Sequence, residues 1–143
     1  MRALALFLFL ALVAACGGEQ GARAVIETKG DEVTVHVEVA DSQAEHARGL
    51  MGRTDLPDDA GMVFVFSTDS TSAFWMKDTL IPLSIAFYDE SGTIVRILDM
   101  EPCIRDPCVL YDPEASYRGA LEVNRGAFER WGVREGDVLR LER

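Results

Sequence analysis

Lysine is almost missing from this chain: Lys29 and Lys77 are the only two, and arginine supplies the rest of 14 basic residues set against 24 acidic ones. The formal charge of −10 argues against a nucleic-acid partner and against adhesion to anionic lipid, both of which need a cationic surface. Histidine is equally scarce. His36 and His46 lie far from the cysteines in sequence, so no metal-ligand cluster and no persuasive Ser-His-Asp order emerges. Nothing calls for a cofactor, and a monomer is expected. The longest apolar run covers residues 3–15, short of the roughly 20 residues that span a bilayer. Repeats and low-complexity segments are absent, and 143 residues leave room for one domain.

That apolar run reads as delivery. Met1 and Arg2 give a basic start, the apolar core follows, and Ala14 and Ala15 supply small residues at its end, the pattern of a secretory signal peptide over residues 1–15. Val13-Ala14-Ala15-Cys16 resembles the bacterial lipoprotein box, where cleavage precedes a lipid-modified cysteine; ordinary cleavage after Ala15 is the alternative. Acyl chains on Cys16 contribute roughly 0.8 kcal/mol per buried CH₂, so they anchor a protein without a spanning helix. Gly17, rather than aspartate, follows the cysteine and favours the periplasmic face of the outer membrane over the inner. Residues 16–23 then read as lipidated cysteine and flexible tether, and residues 24–143 as one domain.

Two cysteines remain, Cys103 and Cys108, in Glu101-Pro102-Cys103-Ile104-Arg105-Asp106-Pro107-Cys108. In an oxidising compartment they are expected to close a small disulfide loop that fixes local geometry. A redox-active pair is usually separated by two residues rather than four.

Along the domain, Val25 to Lys29 and the alternating Val33, Val35, Val37 and Val39 predict a hairpin turning at Gly30-Asp31, with His36 on the solvent face. Ser42-Gln43-Ala44-Glu45 is a capping-box pattern opening a helix to about Met51, ended by Gly52. In that helix Ala44, Ala47, Leu50 and Met51 share one face, with His46 and Arg48 off it. Met62 to Phe66 reads as a buried strand and Ser67 to Ser72 as a polar loop. Leu83 to Tyr88 and Thr93 to Leu98 form a second hairpin through Asp89-Glu90-Ser91-Gly92. Ala120 to Val123 is a strand, Asn124 the expected N-cap of a short helix ending at Trp131-Gly132, and Val138 to Leu141 a last strand. The expected class is α+β and β-rich, a compact distorted barrel or rolled antiparallel sheet with two short helices.

The blocks Arg48-Gly49-Leu50-Met51-Gly52-Arg53, Gly61-Met62-Val63-Phe64-Val65-Phe66, Phe74-Trp75-Met76-Lys77, Thr79-Leu80-Ile81-Pro82-Leu83, Met100-Glu101-Pro102-Cys103 and Leu121-Glu122-Val123-Asn124 resemble, in that order, the prokaryotic family known as domain of unknown function 192. The resemblance runs from about Val33 to Leu141 and implies a compact β-rich fold; the family's name implies no chemistry. Two positions depart from its usual pattern: Asp78 stands where asparagine is usual, and Ser84 where aspartate is usual.

The central stretch from Phe74 to Phe87 sets a polar trio between two apolar runs. One reading makes Phe74, Trp75 and Met76 the wall of a pocket with Arg48, Arg53 and Lys77 as cationic donors, suited to a small carboxylate, phosphate or sugar. The other makes them aromatic core, with Lys77 and Asp78 paired to each other or to Arg48 and Glu122. Candidate ligand-binding residues are therefore Arg48, Arg53, Trp75, Met76, Lys77, Asp78 and Glu122, and the partner a small molecule, a glycan or an envelope protein. The alternative is an envelope hydrolase using Asp78 or Glu122 with Lys77 or Arg48.

Overall fold

The computed structural model describes residues 21–143; the expected signal segment, the lipid box at Cys16 and the first part of the tether lie outside the described residues. Among the described residues, nine strands and two short helices follow one another: β1 (Arg23–Glu27), β2 (Glu32–Ala40), α1 (Gln43–Arg48), β3 (Ala60–Ser70), β4 (Phe74–Trp75), β5 (Leu83–Tyr88), β6 (Ile94–Met100), β7 (Leu110–Tyr111), β8 (Tyr117–Asn124), α2 (Ala127–Arg130) and β9 (Val138–Glu142).

Seven strands form one curled sheet in the order β6-β5-β8-β3-β2-β1-β9, and β4 pairs with β7 apart from it. Every strand pairing is antiparallel except β2 with β3, whose connection through α1 carries the chain back so that both strands run the same way. The curl brings the two edge strands together. Leu139 donates to the Gly92 carbonyl and Ile94 to that of Asp137, each at 2.8 Å, and Thr93 bridges Val138. Gly92 is required there: a Cβ would stand 2.3 Å from the Leu139 carbonyl oxygen. The α+β distorted barrel expected from the sequence is the fold observed.

Two apolar clusters lie on opposite faces of the sheet. The first draws on all seven strands, including Ile26, Val35, Val63, Leu121, Val123 and Leu139, and so fills the inside of the curl; Phe128 of α2 packs into it. The second lies outside, over β3, β8 and β5, and holds Phe64, Leu83, Ile85, Phe87, Tyr117 and Ala120 beneath Leu50 and Met76. Covered on both faces, β5 is buried at every residue, which explains why it is apolar on both sides apart from Ser84.

Several expectations need correcting. The capping box of Ser42 and Glu45 is present, but α1 stops at Arg48, because Gly49 leaves the helix with φ +46° and starts a turn before Gly52 is reached. The helix buries no apolar face; Ala44 and Ala47 are exposed, and His46 is its inward residue. Ser67 to Ser70 continue β3 instead of forming a loop, because Ser70 pairs with Tyr117 beyond an irregularity in the ladder. Asn124 ends β8 and donates its side chain to the Leu56 carbonyl at 2.7 Å, so Gly126 is the N-cap of α2. Cys103 and Cys108 form the expected disulfide.

Candidate functional site

Strand β8 alternates between the two clusters, and that alternation places a carboxyl group in the outer one. Leu121 and Val123 face the inside of the curl, so Glu122 faces outward between Met62 of β3 and Ile85 of β5, its direct cross-strand neighbours. It is only 4% exposed. Among the described residues it has no hydrogen-bonding or ionic partner, and burial alone pushes its carboxyl up to about 8. A buried carboxyl without a partner is costly, and this one borders open space.

That space is a cavity of about 180 Å³ between the α1–Leu50 turn and β4. Buried Glu122, Phe64, Thr79 and Tyr117 form its inner end, while exposed Arg48 and half-exposed Trp75 stand at its mouth. Phe74 is fixed edge-on to Phe64 and Phe87, with ring centroids 5.1 and 5.4 Å apart, which sets the wall rigidly. The Tyr117 hydroxyl donates to the Ser72 carbonyl at 2.7 Å and accepts from Ser70 Oγ at 3.2 Å, so its polar end is already occupied.

His46 closes the α1 side. Its Nε2 lies 3.0 Å from the Ala40 carbonyl oxygen and 3.1 Å from that of Val65, so this nitrogen carries the proton. Its ring lies 4.5 Å from that of Phe66. Sequence placed His46 off the apolar face; the pattern of a six-residue helix carries too little signal to reveal an inward histidine.

The remaining sequence candidates separate from this cavity. Met76 is buried core at 1% exposure. Arg53 pairs with Glu38, across a neighbouring cleft on the other side of α1. Lys77 pairs with neither Asp78, Arg48 nor Glu122. Its Nζ donates to Asp106 of the disulfide loop at 2.8 Å, which raises its pKa, and lies 5.6 Å from the centre of the Trp75 ring. The partner is 29 residues away in sequence and could not be read from the motif.

Asp78 is exposed and takes φ +53° at a tight turn, where its N–H donates to the Cys103 carbonyl at 2.8 Å and its carbonyl accepts from Gly52 at 2.9 Å. Aspartate and asparagine both tolerate this left-handed conformation, so the residue type there follows from the backbone. Ser84 sits in register with Val123, on the sheet face away from Glu122. Its hydroxyl donates to Asp99 at 2.5 Å and accepts the Gly126 N–H at 2.8 Å. Position 84 holds the start of α2. The structure thus does not bring Asp78 and Glu122 into one cavity as a carboxylate pair.

A family model, DUF192, described as Uncharacterized ACR, matches residues 24–141. Among solved structures, the chain is similar to a candidate transcription regulator from Sinorhizobium meliloti 1021, at 32% identity and a TM-score of 0.76, covering 83% of this chain and 92% of that one. It is also similar to a protein of unknown function from Novosphingobium aromaticivorans DSM 12444, at 28% identity and a TM-score of 0.75, covering 82% of this chain and 83% of that one. No curated protein matches.

Proposed function

The chain belongs to the DUF192 family, which brings a fold without a chemistry, and we propose from its own cavity that it is a small-ligand-binding module of the bacterial envelope. The observation that carries this reading is the unpartnered Glu122 carboxyl at the inner end of an aromatic-walled cavity. A water needs roughly 10–15 Å³ of such space, and about 180 Å³ admits a molecule many times larger. Arg48 and Trp75 stand where they would meet the outer end of an occupant. The net charge of −10 gives no support to nucleic-acid binding.

Export and lipid anchoring at Cys16 belong to the same reading. They are supported by the signal-like residues 1–15, by the Val13–Cys16 box and by a cysteine pair at bonding distance. Cys16→Ser should release the protein from membranes; continued sedimentation with them would remove the anchor from the proposal.

The test of binding is a thermal-shift screen of the full chain against small carboxylates, phosphates, sugars and amines. A ligand at 100 times its dissociation constant adds about 2.7 kcal/mol. Trp75→Ala should abolish the shift while the fold survives, since the indole is half exposed. A hit indifferent to Trp75→Ala would place binding elsewhere and refute the reading.

A further inference from the structure

We propose that the cavity takes the ammonium group of a small organic amine, with Glu122 as its counter-ion at the inner end beside Phe64 and Tyr117, and with Phe74 and Trp75 along the rest of the molecule toward the mouth. This rests on the small-ligand reading and names the chemical class.

The inner end of the cavity holds a carboxyl and nothing to pair with it. Glu122 is buried on a strand hydrogen-bonded on both sides, among Met62, Phe64 and Ile85, and among the described residues no donor or cation reaches it. Of the titratable and charged groups around the cavity, α1 contributes His46 and Arg48, and β8 contributes Tyr117 besides Glu122 itself; β3, β4 and β5 contribute none. The His46 Nε2–H is held by the Ala40 and Val65 carbonyls, the Tyr117 hydroxyl by Ser72, and Arg48 is at the solvent-facing mouth. The one group missing from the inner end is a cation.

Its surroundings select the same class. Aromatic faces carry negative potential and attract cations most strongly where water is excluded. An anionic occupant would meet the carboxyl oxygens of Glu122 at the inner end. A neutral alcohol would satisfy a protonated Glu122 but would gain nothing from its ionisation. An ammonium group pairs with the ionised form and donates to its oxygens. Binding would therefore pull the proton from Glu122, whose carboxyl burial otherwise keeps largely protonated near neutral pH. Arg48, two residues beyond His46 at the mouth, is left to meet any acidic group at the far end of the same molecule.

Benzylamine, benzyl alcohol and benzoate share one ring and differ in the charge of the polar group, so they form the test. Calorimetric titration of the full chain at pH 7, in two buffers of different ionisation enthalpy, should show benzylamine binding alone and releasing close to one proton. Its affinity should rise about tenfold from pH 6 to pH 7, following the ionised fraction of Glu122. In Glu122→Gln the affinity at pH 8 should fall at least tenfold and lose its pH dependence. Benzyl alcohol or benzoate binding as tightly as benzylamine, unaffected by Glu122→Gln but lost in Trp75→Ala, overturns the amine class and leaves the cavity reading standing. No binding of any of the three at millimolar concentration overturns both. If Glu122→Gln does not fold, proton release and the benzylamine-to-alcohol ratio in the unmodified chain decide the matter.

Discussion

Replacing Glu122 with glutamine should stabilise the protein at alkaline pH and leave it nearly unchanged in mild acid. In the unfolded chain this carboxyl titrates near its ordinary value of 4.5, and in the folded one burial moves it to about 8. Between those values the folded state holds a proton that the unfolded state has released, so stability falls as pH rises. At ~1.4 kcal/mol per pH unit, the ionised group costs about 5 kcal/mol above pH 8 relative to its protonated state below 4.5. Near pH 7 the loss is already about 3 kcal/mol. The glutamine side chain keeps the shape of the neutral acid and has no such titration. Urea denaturation at several pH values from 5 to 8.5 is the assay, because the difference between the two proteins cancels the other titrating groups. For a domain of this size each kcal/mol corresponds to about 3–5 °C in melting temperature, so the two proteins should separate progressively from about pH 5 and differ by roughly 10 °C at pH 7. Parallel stability profiles across this range would show that Glu122 is already paired or solvated, and would remove the basis for the cavity argument.

Three further outcomes check other parts of the structure. Gly119→Ala should cost about 1–3 kcal/mol by urea denaturation, because a Cβ would stand 2.2 Å from the Tyr88 ring and 2.7 Å from the Phe64 carbonyl oxygen. His46→Ala should cost a similar ~1–3 kcal/mol through the lost Nε2–H bond and the contact with Phe66, whereas Arg48→Ala should stay within about 0.5 kcal/mol; equal effects would contradict the inward placement of His46. Cys103→Ser should lower stability by about 2 kcal/mol, the value for so short a loop. The same substitution should raise hydrogen exchange at Asp78, whose N–H is held by the Cys103 carbonyl.

The hairpins β1–β2 and β5–β6 were legible because alternation or continuous apolarity coincided with Gly- and Asp-containing turns, and the Ser42–Glu45 capping box because its four residues act locally. What escaped the sequence was set by distant partners. Ser67 to Ser70 look like a loop until Tyr117 lies beside them. Lys77 points to Asp78 until the disulfide loop carries Asp106 to it. Asn124 has the chemistry of a helix cap, but its amide reaches the Leu56 and Pro57 carbonyls across the fold. Of the site, Phe74, Trp75, Arg48 and Glu122 were named from their motifs and do border one cavity. In the sequence Glu122 reads as a ligand-binding or acid–base carboxylate or as the partner of a basic side chain, and its isolation is visible only when β3 and β5 are placed on either side of it.

The pairing of β8 with β3 and β5 has a consequence for how anything enters or leaves the cavity. The strand bearing Glu122 is flanked on both sides and covered on both faces, so its backbone opens only when the domain as a whole unfolds. The elements over it are a six-residue helix, the Gly49 turn and a two-residue strand fastened to β7. Traffic must pass through that cover. Amides over residues 49–52 and 74–79 should therefore exchange with solvent long before those of residues 119–123. An occupant would come and go between α1 and β4, at the mouth flanked by Arg48 and Trp75, without disturbing the strand that holds Glu122.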